Sequence, residues 1–375
     1  MTMDQVFRAK RSLFPAQFFA ALFVLFLMVG CVISPRRTLG GGGGTPTPTP
    51  SPTATPTPNP AATGKLYVSN GGGGSILRFD NAFTANGDAA PAATISGANT
   101  TLNAPSFMTL DAAADRLYVA NRGDLSVVIF DGVSTKTGTV NIAPTRTIAG
   151  TATGLLQPTD VALDKGRDML YVADDIDIFV FNSASAASTN GNVAFARDIS
   201  PGFTVSAIFL DATNNRLFVA DQAADAIAIF DNASTLNGAV KATRVVQGTA
   251  THLAVPSGVT VDGAGRLIVS NVGNGTTIPP TITIYANAAT VDGNAAPVAE
   301  ITGSNTGMST PDQVVVDRNG TGTLYNADPG AARIAIFGSL NTANGNIAVT
   351  RSINGPSTGL TVGSQPVGVA LDNTR

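Results

Sequence analysis

Carboxylates are the side chains of this sequence whose type and spacing are best suited to chemistry. Asp160 is followed by Asp174, Asp175 and Asp177 within one short stretch. Hard cations such as Ca²⁺ are bound by several oxygen ligands, and carboxylates supply many of them. A site for Ca²⁺ or another divalent cation is therefore one interpretation of this stretch.

A structural role is the other interpretation, because one of these positions recurs along the chain. Short polar side chains bond to nearby backbone groups and so favour turns. An Asn or Asp stands at equivalent points of six sequence repeats: Asn70, Asn121, Asp174, Asp221, Asn271 and Asp328. A turn explains a residue that is needed six times without any ligand, and the sequence leaves both interpretations open.

Other kinds of chemistry find little support in the composition. The chain has 24 Asp but one Glu (Glu300), one His (His252) and one Cys (Cys31). Acid–base catalysis near neutral pH relies most often on His, and no second His or nucleophilic Cys supports His252 in that role. The formal net charge is −3 and no basic run occurs outside the N-terminus, so we expect no nucleic-acid binding.

The elements that would position these side chains form an internal repeat. In each repeat a Leu-Tyr-Val-like strand, a strand ending in an aromatic residue and a Gly-containing pair follow one another. The clearest marker is an Asp that closes a short apolar strand, at intervals of 47 to 55 residues: Asp111, Asp164, Asp211, Asp262, Asp317 and Asp372. Four short strands with three reversals in each repeat predict the blades of a β-propeller.

The two ends of the repeat region together supply one further blade. Pro366–Asp372 has the pattern of a first strand, whereas Gly64–Val68 has that of a second strand with no first strand before it. Pairing of Val367–Leu371 with Lys65–Val68 would complete a sixth blade and remove the edges at which the ring could open. We therefore expect an all-β fold, a six-bladed β-propeller of four-stranded blades that is closed by its C-terminal strand.

Two local features predict the structure of the rim. Pairs such as Asn190-Gly191 are strong hairpin signals and predict tight turns between the third and fourth strands. The fourth strand carries much of the charge, at Arg146, Arg197, Arg244, Arg351 and Glu300. We expect this strand to have a solvated free edge.

The repeat resembles the NHL and YVTN families of propeller repeats, in Pro-x-x-Val-x-Leu-Asp at Pro158–Asp164 and in Leu-Tyr-Val-Ala-Asn at Leu117–Asn121. The resemblance implies the architecture, and propellers host many activities. Six-bladed hydrolases similar to gluconolactonase use a Glu with Asn and Asp ligands around a divalent metal. Glu300 falls on the predicted outermost strand and does not match that pattern, although Asp160 with Asn271 could substitute.

A closed ring would gather the candidate binding residues at one end of its central channel. The loops that lead into the first strands and the loops between the second and third strands share one face, which we term the mouth face. We expect ligand binding there at Asp160, Asp174, Asp175, Asp177, Asp221, Asn271, Asp312, Gln313 and Asp328. No residue is assigned a catalytic role.

The N-terminal residues predict export and lipidation. A basic segment, Arg8–Arg11, precedes an apolar run, Phe18–Val29, which is shorter than the about 20 residues of a membrane span and suits a signal peptide. Leu27–Cys31 resembles the lipobox of bacterial lipoproteins, which implies that Cys31 is acylated and becomes the mature N-terminus. Val32 stands where an Asp would favour retention at the inner membrane, so we prefer the outer membrane or the cell surface.

A spacer follows the predicted lipidation site. Thr45–Pro60 is rich in Pro, which removes backbone donors and favours an extended chain. The sequence therefore predicts a signal peptide over residues 1–30, a disordered Gly/Thr/Pro-rich linker over 31–63 and the propeller over 64–375. Such a tether would hold the propeller away from the membrane.

The expected function follows from this arrangement. We expect a monomeric, envelope-anchored lipoprotein that contacts the membrane through Cys31, and whose propeller is a non-enzymatic binding or scaffold module for a protein or glycan. The alternative is a metal-dependent hydrolase or lactonase with its site at the channel mouth, for which Ca²⁺ or another divalent cation would be the cofactor.

Overall fold

The computed structural model describes residues 63–318 and 322–375. The predicted signal peptide, Cys31 and the linker before residue 63 lie outside the described residues. Within the described ranges the regular structure consists of β-strands and three-residue 3₁₀ helices. In these ranges no helix is long and apolar enough to cross a membrane.

The strands are numbered in chain order. In the first half they are β1 (Lys65–Asn70), β2 (Ser75–Asp80), β3 (Ala93–Ile95), β4 (Pro105–Asp111), β5 (Arg116–Asn121), β6 (Ser126–Asp131), β7 (Gly138–Val140), β8 (Arg146–Ala149), β9 (Pro158–Asp164), β10 (Met169–Asp174), β11 (Asp177–Asn182), β12 (Arg197–Ser200) and β13 (Ala207–Asp211). In the second half they are β14 (Arg216–Asp221), β15 (Ala226–Asp231), β16 (Gly238–Ala239), β17 (Arg244–Gln247), β18 (Pro256–Val261), β19 (Leu267–Asn271), β20 (Thr281–Tyr285), β21 (Ala299–Thr302), β22 (Val314–Val316), β23 (Thr323–Asp328), β24 (Arg333–Ser339), β25 (Arg351–Ile353) and β26 (Pro366–Asp372).

The 3₁₀ helices lie in the connections between strands. They span Ala98–Thr100, Arg122–Asp124, Val133–Thr135, Thr151–Thr153, Ala233–Thr235, Thr249–Thr251, Ser304–Thr306, Pro329–Ala331 and Pro356–Thr358.

The strands form six antiparallel sheets, each of which is one blade. From the channel outwards, blade 1 is β26-β1-β2-β3, blade 2 is β4-β5-β6-β8, blade 3 is β9-β10-β11-β12, blade 4 is β13-β14-β15-β17, blade 5 is β18-β19-β20-β21 and blade 6 is β22-β23-β24-β25. The short strands β7 and β16 add in parallel to the outer strand of the preceding blade. This arrangement confirms the predicted six-bladed propeller of four-stranded blades.

The core consists of layers between neighbouring blades. Successive side chains of a strand point to opposite faces, so an inner strand of a blade must be apolar on both faces. Strand β5 shows this pattern: Tyr118 and Ala120 pack in one cluster with residues of blade 3, whereas Leu117 and Val119 pack in another with residues of blade 1. All four side chains are at most 1% exposed.

The C-terminal strand closes the ring as the sequence predicts. Strand β26 pairs antiparallel with β1, with Leu66 opposite Leu371 and Val68 opposite Val369. The amide of Gly64 also donates to the carbonyl of Arg375 at 2.9 Å. Blade 1 is therefore built from both ends of the propeller.

The Gly-containing pairs link neighbouring blades, which differs from the predicted tight hairpins. Their glycines form parallel bridges with the outer strand of the preceding blade, at Ala93–Gly138, Ile148–Gly191, Ile199–Gly238, Val246–Gly293, Ile301–Gly345 and Ile353–Gly87. The amide of Gly191, for example, donates to the carbonyl of Thr147 at 2.6 Å, and its carbonyl accepts from the amide of Ala149 at 3.1 Å. The expected solvated edge of the fourth strand is thus partly paired.

Asparagine side chains extend each of these links. Asn190 Oδ1 accepts a hydrogen bond from the amide of Thr147 at 2.8 Å, and Asn192 Oδ1 accepts one from the amide of Ala152 at 2.7 Å. The second contact leaves no room for a side chain at Gly150, where a Cβ atom would lie 2.5 Å from Asn192 Oδ1. Backbone and side-chain bonds from one blade therefore hold the end of the blade before it.

The arginines expected at a solvated edge instead cross to the next blade. Arg146 is 6% exposed, and its Nη1 donates to the carbonyls of Ala184 at 2.8 Å and Ala186 at 2.7 Å. Arg197, Arg244 and Arg351 likewise donate to backbone carbonyls of the following blade. Because the guanidinium groups and the loop carbonyls are then both hydrogen-bonded, these side chains can be buried or half-buried.

Deletion of residues 364–375 should strongly destabilise the protein. The deletion removes β26, exposes the paired edge of β1 and takes the buried Val369 and Ala370 out of the core. We expect the Tm to fall by more than about 10 °C. As a control, Val362→Ser changes a side chain that is 66% exposed and should leave the Tm unchanged. Equal melting of the deletion variant and the full chain would show that the ring does not depend on this closure.

Candidate functional site

Side chains from the start of the innermost strands close the mouth end of the channel. The side chain two positions after the proline of the repeat is large in three blades, at Phe107, Asp160 and Gln313, and Gln313 directly precedes strand β22. Phe107 is 5% exposed and belongs to a cluster with Ala207 and Val259 of blades 4 and 5. The ring of Phe107 therefore extends from blade 2 to the opposite wall of the channel.

Gln313 ties three blades together at the same level. Its Oε1 accepts a hydrogen bond from the amide of Val369 at 2.7 Å, and its Nε2 donates to the carbonyl of Met108 at 3.5 Å. The predicted ligand-binding role of Gln313 thus competes with a structural role between blades 6, 1 and 2.

Asp160 is buried at the mouth end of the channel. It is 2% exposed, and its two carboxyl oxygens accept hydrogen bonds from the amides of Val161 at 2.7 Å and Ile208 at 2.8 Å. Burial raises the pKa of Asp160 to about 8, although both backbone donors act in the opposite direction. Burial therefore favours the protonated form of Asp160.

Asp312 approaches Asp160 from the other side of the ring. It is half-buried at the start of blade 6, which lies opposite blade 3 in a ring of six. Burial raises the pKa of Asp312 well above its ordinary value, and the charges of Asp160 and Asp328 raise it further. The channel mouth therefore holds two carboxyl groups that ionise with difficulty.

Beneath these residues the channel becomes more apolar. A cavity of about 230 Å³ is lined by residues of all six innermost strands, among them Leu110, Leu163, Phe209, Val259 and Val315. Thr109, Thr260 and Gln313 also line this cavity, so polar side chains continue from the mouth into the channel.

Most of the other candidate residues on the mouth face already accept hydrogen bonds from backbone amides. Asp174 accepts hydrogen bonds from the amides of Leu156 at 2.7 Å and Gln157 at 2.9 Å. Burial, followed by the charges of Asp175 and Asp177, raises the pKa of Asp174 to about 6. These bonds hold the loop that leads into blade 3 and match the structural interpretation of the recurring Asn and Asp residues.

Asp328 and Asn271 likewise bond to the loops that lead into their blades, whereas Asp221 bonds to the loop that directly follows it. Asp328 accepts from the amides of Ser309 and Thr310, Asn271 from that of Ala254, and Asp221 from those of Ala223 and Ala224. Asp177 is half-buried and accepts from Ser200 Oγ at 2.6 Å, whereas Asp175 is exposed. Among residues 63–318 and 322–375 no group of three or more His, Cys, Asp or Glu residues could hold a metal ion.

A second concave site, which the sequence did not indicate, lies between blades 4 and 5. This cleft has a volume of about 840 Å³ and contains both His252 and Glu300. His252 Nδ1 lies 3.2 Å from Glu300 Oε2, although 48 residues separate the two in the sequence. The one His and the one Glu of the chain therefore meet, away from the channel.

The loop between the second and third strands of blade 5 forms one wall of this cleft. It spans nine residues, 272–280, whereas the loops 71–74, 122–125, 222–225 and 329–332 of other blades span four and 175–176 spans two. Comparison of loop lengths between repeats was the sequence signal that could have located the cleft.

Replacement of Asp160 by Asn should change how stability depends on pH. The pKa of Asp160 is about 8 in the folded protein and the ordinary value is 3.8, so between these pH values the unfolded chain loses the proton that the folded chain keeps. Ionisation therefore favours the unfolded state, and this group lowers the free energy of unfolding as pH rises, by about 1.4 kcal/mol per pH unit at most.

Urea unfolding at pH 5, 6.5 and 8 measures this effect. Asp160→Asn should show a flatter pH profile than the natural protein, whatever its absolute stability. Asp292→Asn, which changes an exposed Asp, should keep the natural slope. Parallel profiles for all three proteins would mean that Asp160 is ionised in the folded state.

Comparisons with known proteins show the fold alone. No family model and no curated protein match the chain. Among 972 matching chains of solved structures, one from the crystal structure of a nidogen/laminin complex is 12% identical, with a TM-score of 0.51, over 83% of this chain and 99% of that one. A protein of unknown function from Desulfotomaculum acetoxidans DSM 771 is also 12% identical, with a TM-score of 0.49, over 77% and 79% of the two chains. At 12% identity, the match to the chain of the nidogen/laminin complex supports the fold alone, and propellers serve many functions.

Proposed function

We propose that the protein is an envelope-anchored lipoprotein whose propeller is a non-enzymatic binding or scaffold module for a protein or glycan. The propeller fold is consistent with such a module. The lipobox-like segment at Leu27–Cys31 and the Pro-rich segment that follows it support anchoring at a distance from the membrane. The mouth face is the proposed platform.

Exposed hydrophobic side chains on the mouth face are the observation that carries this proposal. Leu125, Leu156 and Val362 are 45%, 42% and 66% exposed, and all three lie in mouth-face loops. A hydrogen bond of 3.0 Å between Arg122 Nη2 and Gln157 Oε1 connects the loops of Leu125 and Leu156. Apolar groups next to polar ones on a rigid base are typical of surfaces that bind other proteins.

The engagement of the mouth carboxylates also favours binding over catalysis. Asp174, Asp221 and Asp328 already accept backbone hydrogen bonds, which leaves them less able to act as a general base or metal ligand. The metal-dependent hydrolase or lactonase remains an alternative, in which Asp160 and Asp312 would be the carboxyl groups nearest to the channel.

Substitution of Cys31 tests the anchor. The natural chain should incorporate a radiolabelled fatty acid and have Cys31 as its mature N-terminus, because this is the one Cys in the chain. Cys31→Ser should lose the label, whereas Val32→Ala should keep it. Labelling and N-terminal mass spectrometry give the result, and a natural chain that retains residues 1–30 without label would refute the anchor.

Substitution of the mouth-face leucines tests the platform. The full chain would be cross-linked in the cells that produce it, and captured partners would be quantified by mass spectrometry. Leu125→Ser with Leu156→Ser should reduce specific capture at least about fivefold, since the double substitution removes the apolar surface that an interface would bury. Val298→Ser changes a residue that is 59% exposed before β21, away from the mouth-face loops, and should have no effect. Equal capture by all three proteins would exclude this platform.

A further inference from the structure

The cleft between blades 4 and 5 has the dimensions of a ligand site. Its walls come from the loop between the second and third strands of blade 4, the loop that leads into blade 5, the strands β20 and β21 and the nine-residue loop 272–280. Its volume of about 840 Å³ lies within the range of sites that bind drug-sized ligands or short peptides.

The charge of the cleft favours a cationic ligand. Asp225 and Glu300 are among the residues that line it, and no Lys or Arg is among them. The formal charge of the whole chain is also negative, at −3, which adds a weaker attraction at long range. An anionic ligand would meet two carboxylates with His252 as the one group that could become positive.

Both carboxylates are held in place by contacts inside the cleft. Asp225 Oδ1 accepts a hydrogen bond from the amide of Val255 at 2.7 Å, and Glu300 Oε2 lies 3.2 Å from His252 Nδ1. Each contact uses one oxygen of its carboxylate. A ligand ammonium or guanidinium group could therefore bind to carboxylates that are already oriented, which reduces the entropic cost of binding.

A buried hydroxyl provides an independent indication of a ligand. Thr281 lines the cleft and is 2% exposed, and among the described residues its Oγ1 has no hydrogen-bond partner. A buried hydroxyl without a partner costs free energy, and native proteins usually satisfy such groups. A backbone amide or carbonyl of a bound peptide could supply the missing partner.

The apolar part of the lining distinguishes a peptide from a sugar. Leu253, Ile278 and Pro279 offer aliphatic surface, which suits the methylene stem of a Lys or Arg side chain. No Phe, Tyr or Trp ring, on which a sugar ring could stack, is among the lining residues. The cleft therefore matches a basic peptide better than a glycan.

We propose that the cleft between blades 4 and 5 binds a basic peptide segment of a protein partner, with Asp225 and Glu300 as the groups that contact its Lys or Arg side chains. This inference rests on the proposed binding function and adds a second contact site outside the mouth-face loops that carry Leu125 and Leu156.

Three probes distinguish the chemistry of the ligand. They are a fluorescent pentapeptide of alternating lysine and alanine, the same peptide with glutamate in place of lysine, and fluorescent maltotriose, each titrated against the full chain by anisotropy. The lysine peptide should bind, and raising the salt from 50 to 300 mM should weaken it. The glutamate peptide and maltotriose should not bind. Equal binding of the two peptides would overturn the role of charge.

Two matched variants locate the site. Glu300→Gln should weaken binding of the lysine peptide about tenfold, while its Tm stays within about 2 °C of the natural value. Asp292→Asn removes the same charge elsewhere in blade 5, where Asn stands in equivalent pairs such as Asn190-Gly191 and Asn344-Gly345, and should keep the natural affinity. Equal weakening by both variants would overturn a specific role for Glu300 in the cleft.

The remaining outcomes separate this inference from the proposed function. One such outcome is that maltotriose binds, Glu300→Gln abolishes this binding, and the lysine peptide does not bind. That outcome would overturn the proposed peptide ligand and support a glycan-binding module. Absence of binding by every probe, together with partner capture that Glu300→Gln leaves unchanged, would overturn the cleft but support the platform formed by the loops of Leu125 and Leu156.

Discussion

Coverage of the outer edge of every blade is the constraint on which the rest of this structure depends. An exposed edge strand carries unpaired amides and carbonyls that can pair with another chain. Here each outer strand is bridged by a glycine of the next blade, and the last bridge, Ile353–Gly87, returns to blade 1. The ring is therefore closed twice, near the channel by β26 with β1 and at the rim by this bridge.

Side chains reinforce the same junctions. Arg146 and Arg351 donate to carbonyls of the following blade, and the hydroxyls of Tyr118 and Tyr325 donate to the carbonyls of Ala184 and Ala82. Because these groups are buried, a shift of one blade against the next would leave several polar atoms without partners, at a cost of about 1–3 kcal/mol each. The mouth-face loops and the cleft thus stand on a rigid base, which lowers the entropic cost of binding a ligand.

The sequence was sufficient for the repeat and for the pairing of Val367–Leu371 with Lys65–Val68, because both follow from a pattern within the chain. For Asp174 and Asp328 it left a structural role and a ligand-binding role both open. It was not sufficient for the role of Asn190, whose partner Thr147 lies in another blade. Nor did it predict the burial of Asp160, whose carboxylate accepts a hydrogen bond from the amide of Ile208 in the next blade. Contacts between blades leave no local signal in the sequence.

Departures from the repeat are the places where this molecule is chemically distinctive. Blade 5 alone among the described blades has a nine-residue loop between its second and third strands. At the residue that follows the 3₁₀ helix before the first strand, three repeats have glycine (Gly154, Gly307 and Gly359), whereas Thr101 and His252 adopt the same left-handed conformation at φ 54° and 57°. A side chain in that conformation costs of order 1 kcal/mol or more, and here it places the imidazole beside Glu300. Contacts that recur between all blades stabilise the ring. The cleft is formed by features that distinguish blade 5, namely its nine-residue loop and His252.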